Sequence, residues 1–232
     1  MAIAFDAVSN VSDVTDIAAP IEMSWSHTCS TGSDRLLLVA FHGPDAGDTV
    51  ASVTYAGTSM TLVRETVNAG ANLVSVWELV APATGANTIL VTVNNAFTSA
   101  EGSAISFTGV DQTTPTEADN GSTADAAGAV STAVTTLTDN AWGVDFCTKE
   151  ASSNGMVVDT GQTSRVDIDA STLDYGISTE GPVTPAGSVT MGWNDDGSIF
   201  NFDWAHVIVA IKPSGAAAAT LVPRRMIMGI GI

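Results

Sequence analysis

Apolar and polar residues alternate along many short stretches of this chain, and the alternation predicts β-strands with one buried face. In residues 21–28 the odd-numbered positions carry Ile21, Met23, Trp25 and His27, whereas the even-numbered positions are acidic or hydroxylated. Residues 36–41 (LLLVAF) form instead a continuous apolar run of strand length, the pattern of a central strand covered on both sides.

Turn signals separate these stretches at intervals of about 8–12 residues, and no stretch has the amphipathic period of a helix. Examples are APATG at residues 81–85, Asn-Gly at 154–155 and Asp-Asp-Gly at 195–197. About a dozen short strands with such spacing predict an all-β fold, a jelly-roll-like antiparallel β-sandwich with a short C-terminal arm.

The sequence contains no linker between its halves, so we predict one β-sandwich domain over residues 1–212. A flexible spacer and an apolar C-terminal arm are predicted over residues 213–232. Residues 111–128 lack apolar periodicity, and we expect them to form a long exposed loop between sheets. No repeat period indicates a solenoid or a propeller.

Composition and charge exclude several classes of protein. The chain has 232 residues and a formal net charge of −18, yet 45% of its residues are hydrophobic, which excludes an acidic disordered segment. Seven basic residues spread through the chain do not form the positive stripe that binds phosphates, so we expect no nucleic-acid partner. Abundant Ser and Thr with scattered Asp predict a surface of the kind found on extracellular and virion-surface proteins.

The first residues lack the basic and apolar regions of a secretory signal. The sequence also lacks an apolar run of about 18 residues, so we expect no membrane span. Three origins fit a surface-style β-protein of this kind. They are a mature chain whose leader has been removed, export by another route, and assembly in the host cytoplasm into a particle released by lysis. The third describes a phage virion protein.

The C-terminal tail differs from the domain because it is basic and apolar. It is interpreted either as a frayed terminus or as an arm that docks on a neighbouring subunit, for example by adding a strand to a sheet edge. The residues predicted to make up the arm are Leu221, Arg224, Arg225, Met226, Ile227, Met228 and Ile230.

Motifs of catalysis and metal binding are missing from the sequence. It has no Gly-x-Ser-x-Gly, no His-Glu-x-x-His and no Cys-x-x-Cys, and its glycines match neither a Walker nor a Rossmann pattern. His27 and His206 each continue an apolar strand face and are predicted to be core residues. We therefore expect no catalytic residue and no cofactor.

Two residue groups remain as candidate sites. Aspartates near two predicted turns supply the oxygen ligands that Ca²⁺ prefers, although such residues are also ordinary at strand ends; they are Asp167, Asp169, Asp174, Asp195 and Asp196. Trp193, next to a turn, is the tryptophan expected to reach the surface and contact a glycan, whereas Trp25, Trp77 and Trp142 are expected in the core.

Cys29 and Cys147 are the only cysteines. They form a disulfide if their strands are adjacent, but two cysteines of a protein made in a reducing cytoplasm are more often free and buried.

Several stretches together resemble a β-sandwich module of uncharacterised phage and bacterial surface proteins. They are residues 33–39 (SDRLLLV), 53–57 (VTYAG), 77–85 (WELVAPATG), 106–115 (SFTGVDQTTP) and 204–213. The resemblance implies a scaffold with structural or adhesive roles and brings no catalytic residue. The expected function is a non-enzymatic structural protein of a phage-like virion, a capsid decoration protein or a tail or fibre component, with copies of itself and other virion proteins as partners. The alternative is a carbohydrate-binding or adhesive module at a cell surface.

Overall fold

A computed structural model describes residues 1–15, 21–44, 50–94, 99–150, 155–197 and 202–215. The regular structure of these residues is entirely β, which confirms the predicted all-β class, and within these ranges no helix has the length and apolarity to cross a membrane. The strands are β1 (Ala4–Thr15), β2 (Ile21–Cys29), β3 (Leu36–Pro44), β4 (Val50–Tyr55), β5 (Thr58–Ser59), β6 (Thr61–Asn68), β7 (Asn72–Val80), β8 (Gly85–Val93), β9 (Ser99–Thr108), β10 (Thr116–Ala127), β11 (Ala129–Thr135), β12 (Ala141–Glu150), β13 (Met156–Val158), β14 (Thr163–Asp169), β15 (Leu173–Val183), β16 (Ser188–Asp195) and β17 (Phe202–Ile211).

The described strands form four antiparallel sheets, two from each half of the chain. In the N-terminal half, the inner sheet has the order β1-β9-β3-β7-β6 and the outer sheet the order β2-β8-β4-β5. In the C-terminal half, the inner sheet has the order β10-β17-β12-β15-β14 and the outer sheet the order β11-β16-β13. Each half is therefore a two-sheet β-sandwich.

The two halves have the same topology. Taken in chain order, strands β1–β4 and β6–β9 of the first half correspond to strands β10–β17 of the second half. With this correspondence, the strand orders of the two inner sheets are the same, and so are those of the two outer sheets, apart from β5. The short strand β5 has no counterpart in the described part of the C-terminal half. The chain is thus an internal duplication of one sandwich.

Local irregularities repeat at equivalent positions. Asp6 and Glu117 each lie at a β-bulge near the start of an inner edge strand. Asp6 accepts a hydrogen bond from the backbone of Ser30 after β2, and Glu117 accepts one from the backbone of Leu137 after β11. The matching bulges and bonds support the duplication independently of the strand order.

The inner sheets of the two halves pack face to face and form the central core. Leu38 and Ile105 from one sheet and Phe146 and Val207 from the other belong to one buried cluster. The contacts across this interface come in equivalent pairs. The contact of β1 with β14 corresponds to the contact of β10 with β6, and the contact of β9 with β15 corresponds to that of β17 with β7. Such exchanged pairs are the pattern of a twofold interface, so the chain resembles a homodimer fused into one polypeptide.

The outer sheets cover the remaining faces of the inner sheets, which gives four layers. The inner sheets are therefore buried on both faces, which explains why Leu36–Phe41 in β3 is apolar without alternation. The outer sheets alternate instead: Ser24 and Ser26 in β2 and Ser131 and Thr135 in β11 point to solvent. Their hydroxyl groups match the surface predicted from composition.

The prediction of an exposed loop over residues 111–128 is wrong. Thr116–Ala127 form β10, an edge strand of the C-terminal inner sheet whose partner is β17. As an edge strand it is partly exposed along its length, so its side chains are polar or small. Its pairing depends on backbone hydrogen bonds that sequence alternation does not reveal. The predicted assembly arm, from Leu221 to Ile230, lies outside the described residues.

Candidate functional site

A buried lysine lies between two aspartates at one end of the C-terminal sandwich. Lys149 is the penultimate residue of β12 and points towards the outer sheet, with its side chain fully buried. Its Nζ is 2.9 Å from Oδ2 of Asp174 and 2.6 Å from Oδ1 of Asp195. Asp174 lies directly opposite Lys149 on β15, whereas Asp195 ends β16 in the facing outer sheet.

Aromatic rings complete the surroundings of the lysine. The Nζ atom lies 4.5 Å from the centre of the Phe202 ring and 5.7 Å from that of Trp204. Trp204 is also the direct neighbour of Lys149 on β17. The ammonium group has therefore exchanged water for two carboxylates and two rings, which stabilise its charge in part.

The five aspartates considered as calcium ligands lie at this end of the sandwich. Partial burial, reinforced by the charges of Asp169, Asp174 and Asp196, raises the pKa of Asp167 to about 6. Within the described ranges, however, no group of three or more His, Cys, Asp or Glu side chains is arranged to hold a metal ion. Two of the five aspartates instead bind the ammonium group of Lys149.

A second buried polar group joins the two sheets of the same sandwich. Oδ2 of Asp145, in β12, lies 3.0 Å from Nε2 of His206 and accepts a hydrogen bond from Nε1 of Trp193 at the same distance. Its other oxygen accepts from the amide and the hydroxyl of Ser178. Nδ1 of His206 is 2.7 Å from the hydroxyl oxygen of Thr132.

This order of carboxylate, imidazole and hydroxyl is the order found in hydrolase triads. The Thr132 hydroxyl, however, lies between the two sheets, and the residue is only 5% exposed. A nucleophile has to meet the carbonyl of a substrate, and this oxygen faces His206 and the Ser122 hydroxyl instead. The group therefore ties strands together rather than presenting a reactive oxygen.

The N-terminal sandwich has its own buried histidine chain. His27 lies 3.1 Å from the Ser106 hydroxyl through Nε2 and 2.9 Å from the Ser9 hydroxyl through Nδ1. Burial lowers the pKa of His27 to about 4 and that of His42 to about 3. His27 and His206 are buried, as predicted for core histidines.

The expectation that Trp193 reaches the surface is wrong. Its side chain is fully buried, with the ring against Gly176 and the indole N–H on Asp145. The turn that suggested exposure begins only after Asp195, the last residue of β16, so Trp193 is still within the strand and faces inward. No glycan contact by Trp193 is compatible with this position, whereas Trp25 and Trp77 are core residues as predicted.

Both cysteines are free and buried, one in each sandwich. Burial raises the pKa of Cys147 well above its ordinary value, which keeps the thiol protonated. Of the two possibilities left open by the sequence, the structure supports the free thiols.

Sequence reasoning missed Asp145 and Lys149 as members of a site. Both alternate with Val144, Phe146 and Thr148 on β12, so the pattern assigns them to a solvent face. One signal was present: Lys149 is one of only two lysines in the chain. A scarce lysine inside a strand-like stretch of a strongly acidic chain indicates a buried ion pair with one of the acidic residues.

Comparison with known proteins adds no family assignment. No protein-family model matches the sequence, and a search of curated proteins finds no match.

Proposed function

We propose that this chain is a non-enzymatic structural protein of a phage-like virion, a capsid decoration protein or a tail or fibre component that acts by subunit assembly. The observation that carries the proposal is the fused, twofold-related pair of sandwiches with a common core. Such a block is rigid, because both inner sheets are covered on both faces. Most of the described residues belong to the strands of these stacked sheets, and buried polar clusters link the sheets to each other.

Sheet edges and charge supply the means of assembly. The inner sheets end in β1, β6, β10 and β14, and an edge strand offers backbone groups to an added strand. All acidic residues precede the tail, whereas Arg224 and Arg225 lie within it. Attraction between the basic tail and acidic surface is consistent with docking of the tail on the body of another copy.

The start of the tail has a defined place on the molecule. The amino group of Met1 donates hydrogen bonds to the backbone and side-chain oxygens of Ser214 at 2.6 and 2.8 Å. Val110, at the junction of the halves, pairs with Pro213. The tail therefore starts beside the N-terminus and beside the junction between the two halves. We infer that it extends from this point to a neighbouring copy.

The alternative is a carbohydrate-binding or adhesive module at a cell surface. The glycan contact predicted for such a module, Trp193, is buried, and no specific observation favours this alternative. The proposed virion protein would be assembled in the host cytoplasm.

Truncation after Pro213 tests the assembly mechanism. We expect the full chain to form oligomers and the truncated chain to be a folded monomer, because the arm supplies the apolar contacts between copies. Light scattering coupled to gel filtration gives the mass, and circular dichroism checks the fold. An Arg224→Glu, Arg225→Glu variant keeps the tail length and isolates the charge contribution.

Equal oligomer masses for the full and truncated chains would contradict the arm mechanism. The virion assignment has its own test, mass spectrometry of purified particles from cultures that express the protein. Absence of the chain from the particles while it is present in the cell lysate would overturn that assignment.

A further inference from the structure

We propose that Lys149 and Asp195 join in an intrachain amide bond, with Asp174 transferring the protons. The bond would link Nζ of Lys149 in the inner sheet to Cγ of Asp195 in the outer sheet. The inference does not depend on the proposed function, since it concerns chemistry within one chain.

The geometry provides the three groups that such a reaction needs. The amine is within hydrogen-bond distance of both carboxyl groups, at 2.9 and 2.6 Å, and the three side chains are at most 1% exposed. Close, oriented groups turn a slow bimolecular step into a fast intramolecular one. Exclusion of solvent also disfavours hydrolysis of the amide once it has formed.

The low polarity of the surroundings prepares the reactants. The nitrogen and both carboxyl groups are enclosed between the sheets, so water does not compete for the 2.9 and 2.6 Å contacts between them. Phe202 and Trp204 provide the apolar wall beside the nitrogen. A neutral lysine amine in such a pocket is a nucleophile, and a neutral carboxyl group is an electrophile.

The bond changes balance without an oxidant or a co-reactant. Proton transfer from Lys149 Nζ to the Asp195 carboxylate comes first, and the neutral nitrogen then attacks Cγ of Asp195. The Asp174 carboxylate takes a proton from the attacking nitrogen and returns it to the departing hydroxyl group. One C–N bond forms, one C–O bond breaks and one water molecule leaves.

The positions of the two aspartates assign their roles. Asp174 is the direct cross-strand partner of Lys149, so the two side chains leave the inner sheet side by side. Asp195 comes from the facing outer sheet and therefore meets the end of the lysine side chain. The extended side chain of Lys149 therefore reaches Asp195 without turning back towards its own sheet. Asp174 lies beside the nitrogen, where it can act as a base.

The product would fasten the two sheets of the C-terminal sandwich to each other. It connects β12 with β16, which are separated by 46 residues at the linked positions. Because Lys149 and Asp195 both lie near strand ends, the link would close the end of the sandwich where Phe202 begins β17.

The intact mass of the purified, denatured full chain tests the proposal. We expect the wild-type mass to be lower than the mass of the sequence by one water molecule. Lys149→Arg keeps a cation in place but supplies no lysine amine, and Asp174→Ala removes the base without placing another side-chain amide beside the nitrogen. Both variants are expected to have the full sequence mass while retaining the circular dichroism spectrum of a β-protein.

Two further readouts identify the bonded aspartate. Asp195→Asn presents a side-chain amide, so its reaction would release ammonia instead of water and give the same linked product. Cleavage after glutamate, at Glu117, Glu150 and Glu180, places Lys149, Asp174 and Asp195 in three different peptides. The expected linked species joins the peptide that ends at Glu150 to the peptide that begins after Glu180.

A wild-type mass equal to that of the sequence, after long incubation of folded protein, would overturn the proposal without recourse to any variant. A link between the Lys149 peptide and the peptide containing Asp174 would overturn the assigned roles. Persistence of the water loss in Lys149→Arg would show that the loss arises elsewhere in the chain and would likewise reject the bond.

Discussion

Single residues set how closely the sheets approach each other. In the N-terminal sandwich the ring of Trp25 lies over Gly102, and in the C-terminal sandwich the ring of Trp193 lies over Gly176. A Cβ atom at either glycine would overlap the ring above it. Glycine is required at both places by close packing of an indole against a sheet, since neither residue adopts a left-handed conformation.

Two buried histidines make stability depend on pH. His27 and His42 take up a proton near pH 6.5 when unfolded, but their folded pKa values are about 4 and about 3 because burial disfavours the charge. The unfolded state therefore binds more protons, and the free energy of unfolding falls as pH decreases below 6.5. Each histidine contributes a slope of up to about 1.4 kcal/mol per pH unit.

Urea unfolding at pH 7, 6 and 5 checks this sign. We expect the free energy of unfolding of His42→Gln to fall less steeply with decreasing pH than that of the wild type. The slopes should differ by up to about 1.4 kcal/mol per pH unit, the contribution of one proton. Asp167, whose folded pKa is raised to about 6, stabilises the folded state as pH falls. This effect is the same in both proteins, so it cancels in the difference between their slopes. Equal slopes in the two proteins would contradict the neutral, buried state of His42.

At the scale of elements, one carboxylate holds four strands. Asp145 lies on β12 and bonds to Ser178 on β15, Trp193 on β16 and His206 on β17. The bonds cross both the inner sheet and the gap to the outer sheet. A slipped register would leave these buried donors without an acceptor, so the cluster selects one register for all four strands.

Asp145→Ala is expected to lower the free energy of unfolding by about 3–5 kcal/mol, because it leaves buried donors without their acceptor. Asp125→Ala, at an exposed position on β10, is the matched control and should change it by less than about 0.5 kcal/mol. Denaturant unfolding monitored by tryptophan fluorescence measures both. A loss at Asp145 as small as the control's would mean that water enters the gap and replaces the carboxylate.

At the scale of the whole molecule, the halves depend on each other. The face of each inner sheet that meets the other half is apolar, and polar bonds at its margins add specificity. The Tyr175 hydroxyl is 2.6 Å from that of Ser12, and Asn72 donates to the backbone oxygen of Asp203 at 2.7 Å. A separated half would expose a large apolar sheet face to water.

Co-expression of residues 1–110 and 111–232 as two chains tests this dependence. We expect an affinity tag on one fragment to recover both, since the central core forms without a peptide link. Val207→Asp places a charge in that core and is expected to abolish recovery of the partner fragment. Stable monomeric fragments, each soluble by itself, would contradict a shared core.

Much of the strand content was predictable because it depends on local patterns. The alternation at residues 21–28 corresponds to β2, and the apolar run after Arg35 corresponds to β3. The duplication was not predictable, because equivalent positions differ in residue type: Val39 in β3 and Asp145 in β12 occupy matching places in the two inner sheets. The repeat conserves backbone pairing, which many side chains satisfy.

The sequence by itself determined the all-β class, the hydroxyl-rich exposed faces and the burial of His27 and His206, since each follows from the order of apolar and polar residues along a strand. Tertiary structure alone decided the stacking of four sheets, the burial of Trp193 and the meeting of Lys149 with Asp174 and Asp195. Those features depend on which sheet covers a strand face. That coverage results from contacts between residues far apart in the chain, which a local pattern does not contain.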